Sequence, residues 1–233
     1  MSKNEKVEKI LSKSRYSFDD LCLIMEILRG EDGCPWDAEQ THESIRKNFI
    51  EETYEVIEAI DNQDPYLLRE ELGDVLLQVV FHTQMERESG NFDIDDVAND
   101  VCVKLVHRHP HIFGNVIAST AEEVLSNWEA IKNVEKSRET MYDRLSSIPS
   151  MTPALMRASK IAKKSGEYKE KSNEDIINEL DSTIQNIKYA DYKINDKDVS
   201  EILFLLCALA SKNDMDAEEL LFKKTNSFME KYK

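Results

Sequence analysis

Residues that break helices are scarce in this chain. Six glycines and five prolines are spread over 233 residues, and between them apolar side chains recur every three or four positions. Tight turns draw on glycine for positive φ and on proline for a pre-set φ. A chain this poor in both cannot supply the many turns of a sandwich or a sheet of hairpins; it folds into long helices with short connections. The expected fold class is all-α, with no strand.

The remaining turn residues divide the helices. Periodicity predicts helices over residues 18–28, 42–60, 65–88, 93–107, 122–136, 154–164, 173–187, 196–212 and 217–232. Pro65 suits a first helical turn, and "DNQDP" before it is a turn. "RGEDGCPWD" and "HPHIFGN" read as loops, with Asp37 as the cap of the helix that follows. Residues 1–17 read as a polar leader and 137–152, containing "SSIPSMTP", as a linker between domains at 18–136 and 153–233.

A formal charge of −16 argues against a nucleic-acid surface, which needs clustered basic residues, and against docking on an anionic membrane. Small anionic substrates stay open if a divalent metal bridges them. No run is long enough to span a bilayer, and "MSKNEKVEKILSKSRYSF" lacks the apolar core of a signal peptide. Cys22, Cys34, Cys102 and Cys207 are scattered without a Cys-x-x-Cys pair, as expected of reduced thiols in a cytoplasmic protein.

The chemistry concentrates in two neighbouring helices. In "EETYEVIEAI" (Glu51 to Ile60) Ile50, Thr53, Tyr54, Val56, Ile57 and Ile60 fill one arc of the helical wheel, extended by Ile45 and Phe49. That arc is expected to face the core. Glu51, Glu55 and Glu58 lie opposite and Glu52 at the boundary, with Glu52 and Glu55 adjacent on the helix surface. In "LGDVLLQVVF" Asp74 stands inside an apolar helix, three residues after Glu71. A buried carboxylate without a partner is costly, and no Lys or Arg lies between Lys47 and Arg69 or between Arg69 and Arg87. If the helices pack antiparallel, Glu52 and Glu55 face Glu71 and Asp74. Four carboxylates so placed form a hard-oxygen site suited to Mg²⁺ or Mn²⁺. Glu58 reads as solvated.

The pattern Glu-Glu-x-x-Glu, spacer, Glu-x-x-Asp resembles that of the MazG nucleoside triphosphate pyrophosphohydrolases, of the all-α NTP pyrophosphatase superfamily. "GCPWDAEQTHESIRKNFIEETYEVIEAI", "REELGDVLLQVVFH", "KLVHRHPHIFGN" and "NWEAIKNVEK" resemble MazG segments in the family's order. "TPALMRASKIAKKSG" is similar to the entry to the second domain of tandem MazG proteins. The resemblance implies Mg²⁺-dependent hydrolysis of nucleoside triphosphates to monophosphate and pyrophosphate, and a homodimer. It implies Glu52, Glu55, Glu71 and Asp74 as metal ligands, with Glu51 in the same catalytic motif. Lys104 and Arg108, i,i+4 on one helix, and Trp128 and Lys132, i,i+4 on another, match substrate-contacting positions.

The chain also repeats itself at an offset of 127 residues: Ile57 falls on Ile184, Ile60 on Ile187, Leu76 on Leu203 and Val79 on Leu206. Glu52 falls on Glu179, Glu71 on Asp198 and Asp74 on Glu201, but Glu51 becomes Asn178 and Glu55 becomes Ser182. The expectation is two tandem MazG-like helix-bundle units, the second degenerate and the first active.

Other patterns carry less. His107, His109 and His111 alternate, which is not the i,i+3 or i,i+4 spacing of zinc ligands on a helix, and read as a helix end and packed loop. Cys34 has no partner base, and Trp36 is a candidate for stacking on a base. A di-iron bundle needs two Glu-x-x-His motifs, and only Glu39-x-x-His42 is present at a suitable place. A non-catalytic helical module is the remaining alternative; the intact acidic motif opposes it.

Overall fold

The computed structural model describes residues 1–136 and 139–232. Within these residues every regular element is helical and no strand occurs. The chain divides into two compact units, one spanning Met1–Ile117 and the other beginning at Ala118.

The first unit contains α1 (Lys3–Leu11), α2 (Phe18–Arg29), α3 (Pro35–Glu39), α4 (His42–Asp61), α5 (Pro65–Ser89), α6 (Ile94–Arg108) and α7 (Pro110–Phe113). Its centre is the antiparallel α4–α5 hairpin, with α2 packed on α5. Both arms have firm ends. Thr41 caps α4 through a reciprocal bond with Ser44, so Thr41 replaces the expected Asp37. Asp64 caps α5 ahead of Pro65, and Gly90 closes it at φ 74°, a conformation glycine adopts without strain.

The apolar core lies toward one end of the hairpin, where Met25 of α2, Ile45 of α4, and Val80, Phe81 and Met85 of α5 are buried together. The face of α4 turned inward follows Ile45, Phe49, Glu52, Val56 and Ala59. Part of the expected core arc is on the outside: Ile50, Tyr54, Ile57 and Ile60 are 46–57 % exposed, while Ile45, Phe49 and Val56 of that arc face inward. The broad apolar arc is thus divided, and α5 covers the part beside Glu52.

The leader and both stretches expected as loops carry helices. The leader forms α1, with Ile10 buried, tied to α2 by Lys6–Glu26 at 2.8 Å and Lys13–Asp20 at 2.5 Å. "GCPWD" contains a tight turn at Gly33, where a Cβ would meet the Leu28 carbonyl oxygen at 2.2 Å, followed by the short α3. "HPHIF" likewise carries α7 rather than a loop.

Arg29, at the end of α2, holds this corner together. Its guanidinium donates to Glu88 at 2.8–3.2 Å, to the Asp37 carbonyl at 2.5 Å and to the Gln40 carbonyl at 3.2 Å, and it lies 5.3 Å from the Phe81 ring centroid.

The second unit contains α8 (Ala121–Glu135), α9 (Met141–Ser146), α10 (Ala154–Ser165), α11 (Asn173–Tyr189), α12 (Asp196–Lys212), α13 (Ala217–Met229) and a final 3-10 turn. Its core joins Ala162 of α10, Tyr168, Ile176 of α11, and Leu205 and Ala208 of α12. Helix α8, expected with the first domain, belongs to this unit. Of the expected linker, Ser137 and Arg138 lie outside the described residues, while α9 packs on α10 and Ile148 is 5 % exposed. The helix order α2, α4, α5, α6 is echoed by α10, α11, α12, α13: a helix packs on the second arm of a hairpin, and the next helix follows that arm.

The fork of Arg29 bonds both a carboxylate and two carbonyls, geometry an ammonium cannot reproduce. Arg29→Ala is expected to lower unfolding free energy by about 2 kcal/mol, since loss of a partner in a mostly buried charge pair is costly. Arg29→Lys recovers only part of this. Urea unfolding of both variants checks it; equal stability of wild type and Arg29→Lys would refute the fork's role.

Candidate metal centre

Positions 52 of α4 and 71 and 74 of α5 belong to the faces these helices turn toward each other. On such a seam i,i+3 and i,i+4 neighbours from one helix meet the same stretch of its partner. Glu52 and Glu55 therefore come to Glu71: one carboxylate oxygen from each lies within 4.8 Å of the other two. Glu71 is only 9 % exposed, Glu52 and Asp74 are half-buried, and Glu55 is open to solvent. The group is thus closed on the helix side and accessible on the other.

These acids disturb one another. Burial raises the Glu52 carboxyl above its ordinary pKa, and the charges of Asp74, Glu55 and Glu51 raise it further, as does a hydrogen bond with Glu55. Burial also raises Glu71, followed by the charge of Glu55, a hydrogen bond with it, and the charges of Asp74 and Glu70. Asp74 is therefore electrostatically part of the group although it lies outside the 4.8 Å cluster. Glu51 points elsewhere: its carboxylate pairs with Lys47 one turn back at 3.1 Å, and it is exposed.

Buried acids whose ionisation is opposed by like charge are suited to a multivalent cation, because the ion removes both the repulsion and the desolvation penalty. Oxygen-only donors favour Mg²⁺, Mn²⁺ or Ca²⁺ over thiophilic metals. His42, the histidine of the di-iron motif, turns away from the acids: its Nε2 is 2.6 Å from Glu86 Oε1 and its Nδ1 2.7 Å from His82 Nδ1, with the two rings stacked. Asn91 completes the chain by donating to Glu86 at 2.6 Å. Burial lowers the His82 pKa, and the neighbouring His42 lowers it further. His42, His82 and Glu86, with Phe49, Val79, Thr83, Phe92 and Val97, line a cavity of about 510 Å³. It begins one helical turn from the acids, since Phe49 precedes Glu52 by three residues. No sequence pattern marked this cluster beyond the i,i+4 spacing of His82 and Glu86. Gln78, one turn after Asp74, is also buried and its Oε1 has no hydrogen-bond partner.

The other expected contacts are more dispersed. Lys104 is exposed on α6, and Arg108 is buried at that helix's last residue. Trp128 and Lys132 lie half-buried on α8 in the second unit, where Lys132 is 3.8 Å from Glu129. His109 Nδ1 lies 2.6 Å from the Leu105 carbonyl oxygen, and among the described residues the metal-type cluster contains glutamates alone.

A carboxyl whose pKa is raised by folding binds more protons in the folded than in the unfolded chain. Its contribution to stability therefore falls as pH rises from the unfolded value through the raised folded one. Without metal, Glu71→Gln is expected to raise the thermal midpoint at neutral pH. The gap to wild type should close as pH drops below about 4.5, the ordinary glutamate value. Thermal melts in chelator across pH 4 to 8 (roughly the span of these titrations) check it; a destabilised variant at neutral pH would refute it.

The same region is matched in known proteins. A model of the MazG nucleotide pyrophosphohydrolase domain matches residues 40–113, spanning the α4–α5 hairpin and all four acids. The nucleoside triphosphate pyrophosphohydrolase/pyrophosphatase MazG of Thermotoga maritima is 38 % identical over 219 residues, which cover 93 % of this chain and 84 % of that protein. The nucleoside triphosphate pyrophosphohydrolase of Escherichia coli K12 is 38 % identical over 228 residues, covering 92 % of this chain and 85 % of its own length. The uncharacterized protein YabN of Bacillus subtilis is 46 % identical over 158 residues, covering 68 % of this chain but 32 % of itself. Similarity to the first two extends through both units, and with the acids gathered on the matched hairpin this chain belongs to the MazG family of nucleotide pyrophosphohydrolases.

Proposed function

We propose that this protein hydrolyses nucleoside triphosphates to the monophosphate and pyrophosphate, removing unwanted nucleotides from the cytoplasmic pool, with Mg²⁺ held by Glu52, Glu55, Glu71 and Asp74. Mn²⁺ is a fitting substitute. The observation that carries this reading is the meeting of Glu52, Glu55 and Glu71 within 4.8 Å on a seam where burial and mutual charge oppose their ionisation. Family membership makes the chain a metal-dependent hydrolase of phosphoric anhydrides; the choice of metal, the ligand set and the cellular role are this reading's own.

When bound, Mg²⁺ neutralises triphosphate oxygens and lowers the pKa of a coordinated water. The protein's part is positioning. Glu71 and Glu52 are fixed by the seam, so their oxygens are held in place before substrate arrives, which reduces the reorganisation left for the reaction. Glu55 and Asp74 complete the anionic wall, and Glu51 borders it. Lys104 and Arg108 are assigned to the triphosphate. Phe49, Val79, Phe92 and Val97 give the adjacent cavity apolar walls suited to the nucleoside. Water is assigned to attack the α-phosphorus, which releases pyrophosphate and leaves the new oxygen in the monophosphate.

The assembly is a homodimer in this reading. Ile50, Tyr54, Ile57 and Ile60 of α4 and Leu72 and Leu76 of α5 are 38–57 % exposed. Contiguous apolar surface on paired helices is more than a solvent-facing wall needs, and a second copy of the same hairpin is its natural cover.

Three measurements follow. Chromatography of the products of each triphosphate is expected to show monophosphate and pyrophosphate, with ¹⁸O from labelled water in the monophosphate; orthophosphate as the product would sink the reaction assignment, and label in pyrophosphate would move the attack to the β-phosphorus. Glu52→Gln, Glu71→Gln and Asp74→Asn should each lose turnover about a hundredfold or more, near 3 kcal/mol of transition-state stabilisation, and also lose the rise in thermal midpoint that Mg²⁺ gives wild type. Glu179→Gln should retain turnover, and activity that depended on Glu179 but not Glu52 would move the active centre to the second unit. Ile57→Asp should convert a dimer to monomers by light scattering; an unchanged mass would place the interface elsewhere.

A further inference from the structure

The repeat puts Glu179 of α11 at the place of Glu52, and Glu201 of α12 at the place of Asp74. Around Glu179 the structure supplies a cation from the chain itself. Lys171, just ahead of α11, brings its Nζ to 2.7 Å from Glu179 Oε1 and 3.7 Å from Glu167 Oε1. The same ammonium lies 4.6 Å from the centroid of the Tyr168 ring, which is buried edge-on against Phe204 of α12. The charges of both Glu179 and Glu201 reach Tyr168, so these two acids and the ammonium share one neighbourhood. In the first unit the position matching Lys171 is Ser44, which carries no charge.

We propose that the Lys171 ammonium stands in the second unit where a divalent cation stands in the first, so that the chain carries a single divalent-ion site and its second unit is held without metal. This rests on the reading of Glu52, Glu55, Glu71 and Asp74 as ligands. The charge balance fits. Of the four positions read as ligands in the first unit, Glu55 alone is replaced by a neutral residue, Ser182, and Asp198 stands for Glu71 with a shorter side chain; of the three remaining acids the Lys171 ammonium pairs with Glu179. Lys171 is tethered close to its acceptor, accepts an aromatic face that an ion's water shell would not favour, and repels any divalent ion that approaches Glu179. The second unit thereby keeps the hairpin geometry with the Glu179 carboxylate already paired.

The full chain provides the test, with Mn²⁺ as the probe. Electron paramagnetic resonance of free Mn²⁺ is expected to show binding by wild type and none by Glu71→Gln at concentrations that saturate wild type. Mn²⁺ binding that persists in Glu71→Gln and disappears on adding Glu179→Gln would overturn the proposal. In chelator, Lys171→Met is expected to lower the thermal midpoint by about 2 °C, the scale of a half-exposed ion pair in a chain of this size, and to have no effect in a Glu179→Gln background. The same drop in both backgrounds, or none in either, would overturn it. Should Lys171→Met not fold, Glu179→Gln with and without Lys171→Arg reads the same coupling, since arginine keeps the charge but not the compact ammonium. A wild-type chain that bound no Mn²⁺ would sink the first-unit reading and the single-site claim with it, whereas Mn²⁺ bound without any Lys171–Glu179 coupling would overturn this proposal alone.

Discussion

Glu52 and Glu71 occupy the stripes of α4 and α5 that face the neighbouring helix, where apolar side chains would contribute most to stability. Placing carboxylates there costs the unit desolvation and mutual repulsion, visible as the raised pKa values of both. The remainder of the first unit can be understood as what holds the hairpin closed around them. Apolar packing is gathered toward the other end of the same seam, where Met25, Ile45, Val80, Phe81 and Met85 are buried. One hairpin therefore has an end that stabilises and an end that gathers acids, and the packed end keeps the acids from separating.

Arg29 extends this arrangement outward. By bonding Glu88 and the carbonyls of Asp37 and Gln40, it fixes the approach to Thr41, the residue from which α4 starts. The position of Glu52 thus depends on a corner that contains none of the acids. The second unit shows what happens to the same hairpin when two acids are lost: the place of Glu52 is taken by Glu179, and its charge is balanced by Lys171 at 2.7 Å.

Much of this was readable beforehand, for local reasons. Helix bounds agreed with expectation to within a residue or two for α2, α4, α5, α6, α10 and α11, because caps, Pro65 and helical periodicity act over a few residues. The grouping of Glu52, Glu55 and Glu71 was also foreseeable, since i,i+3 spacing on a helix and a short antiparallel turn leave few alternatives. The facing of α4 was not. Its wheel offers one arc with Ile50, Tyr54, Ile57 and Ile60 and another with Ile45, Phe49, Val56 and Ala59. Hydrophobicity favours burying both, and only the partner helix chooses between them. The contact of His42 with His82 and Glu86 spans forty or more residues and has no local signature.

The amino-acid sequence by itself determined the all-helical class, the boundaries of the long helices, the acidic motif and its partial loss in the second copy, because each is set by interactions within a few turns of one helix. Tertiary structure decided which face of α4 is inside, that Glu51 leaves the group to pair with Lys47, that α8 belongs with the second unit, and that Lys171 neutralises Glu179. Those outcomes depend on which surfaces and charges meet across long stretches of chain, and a single helix carries no record of its neighbours.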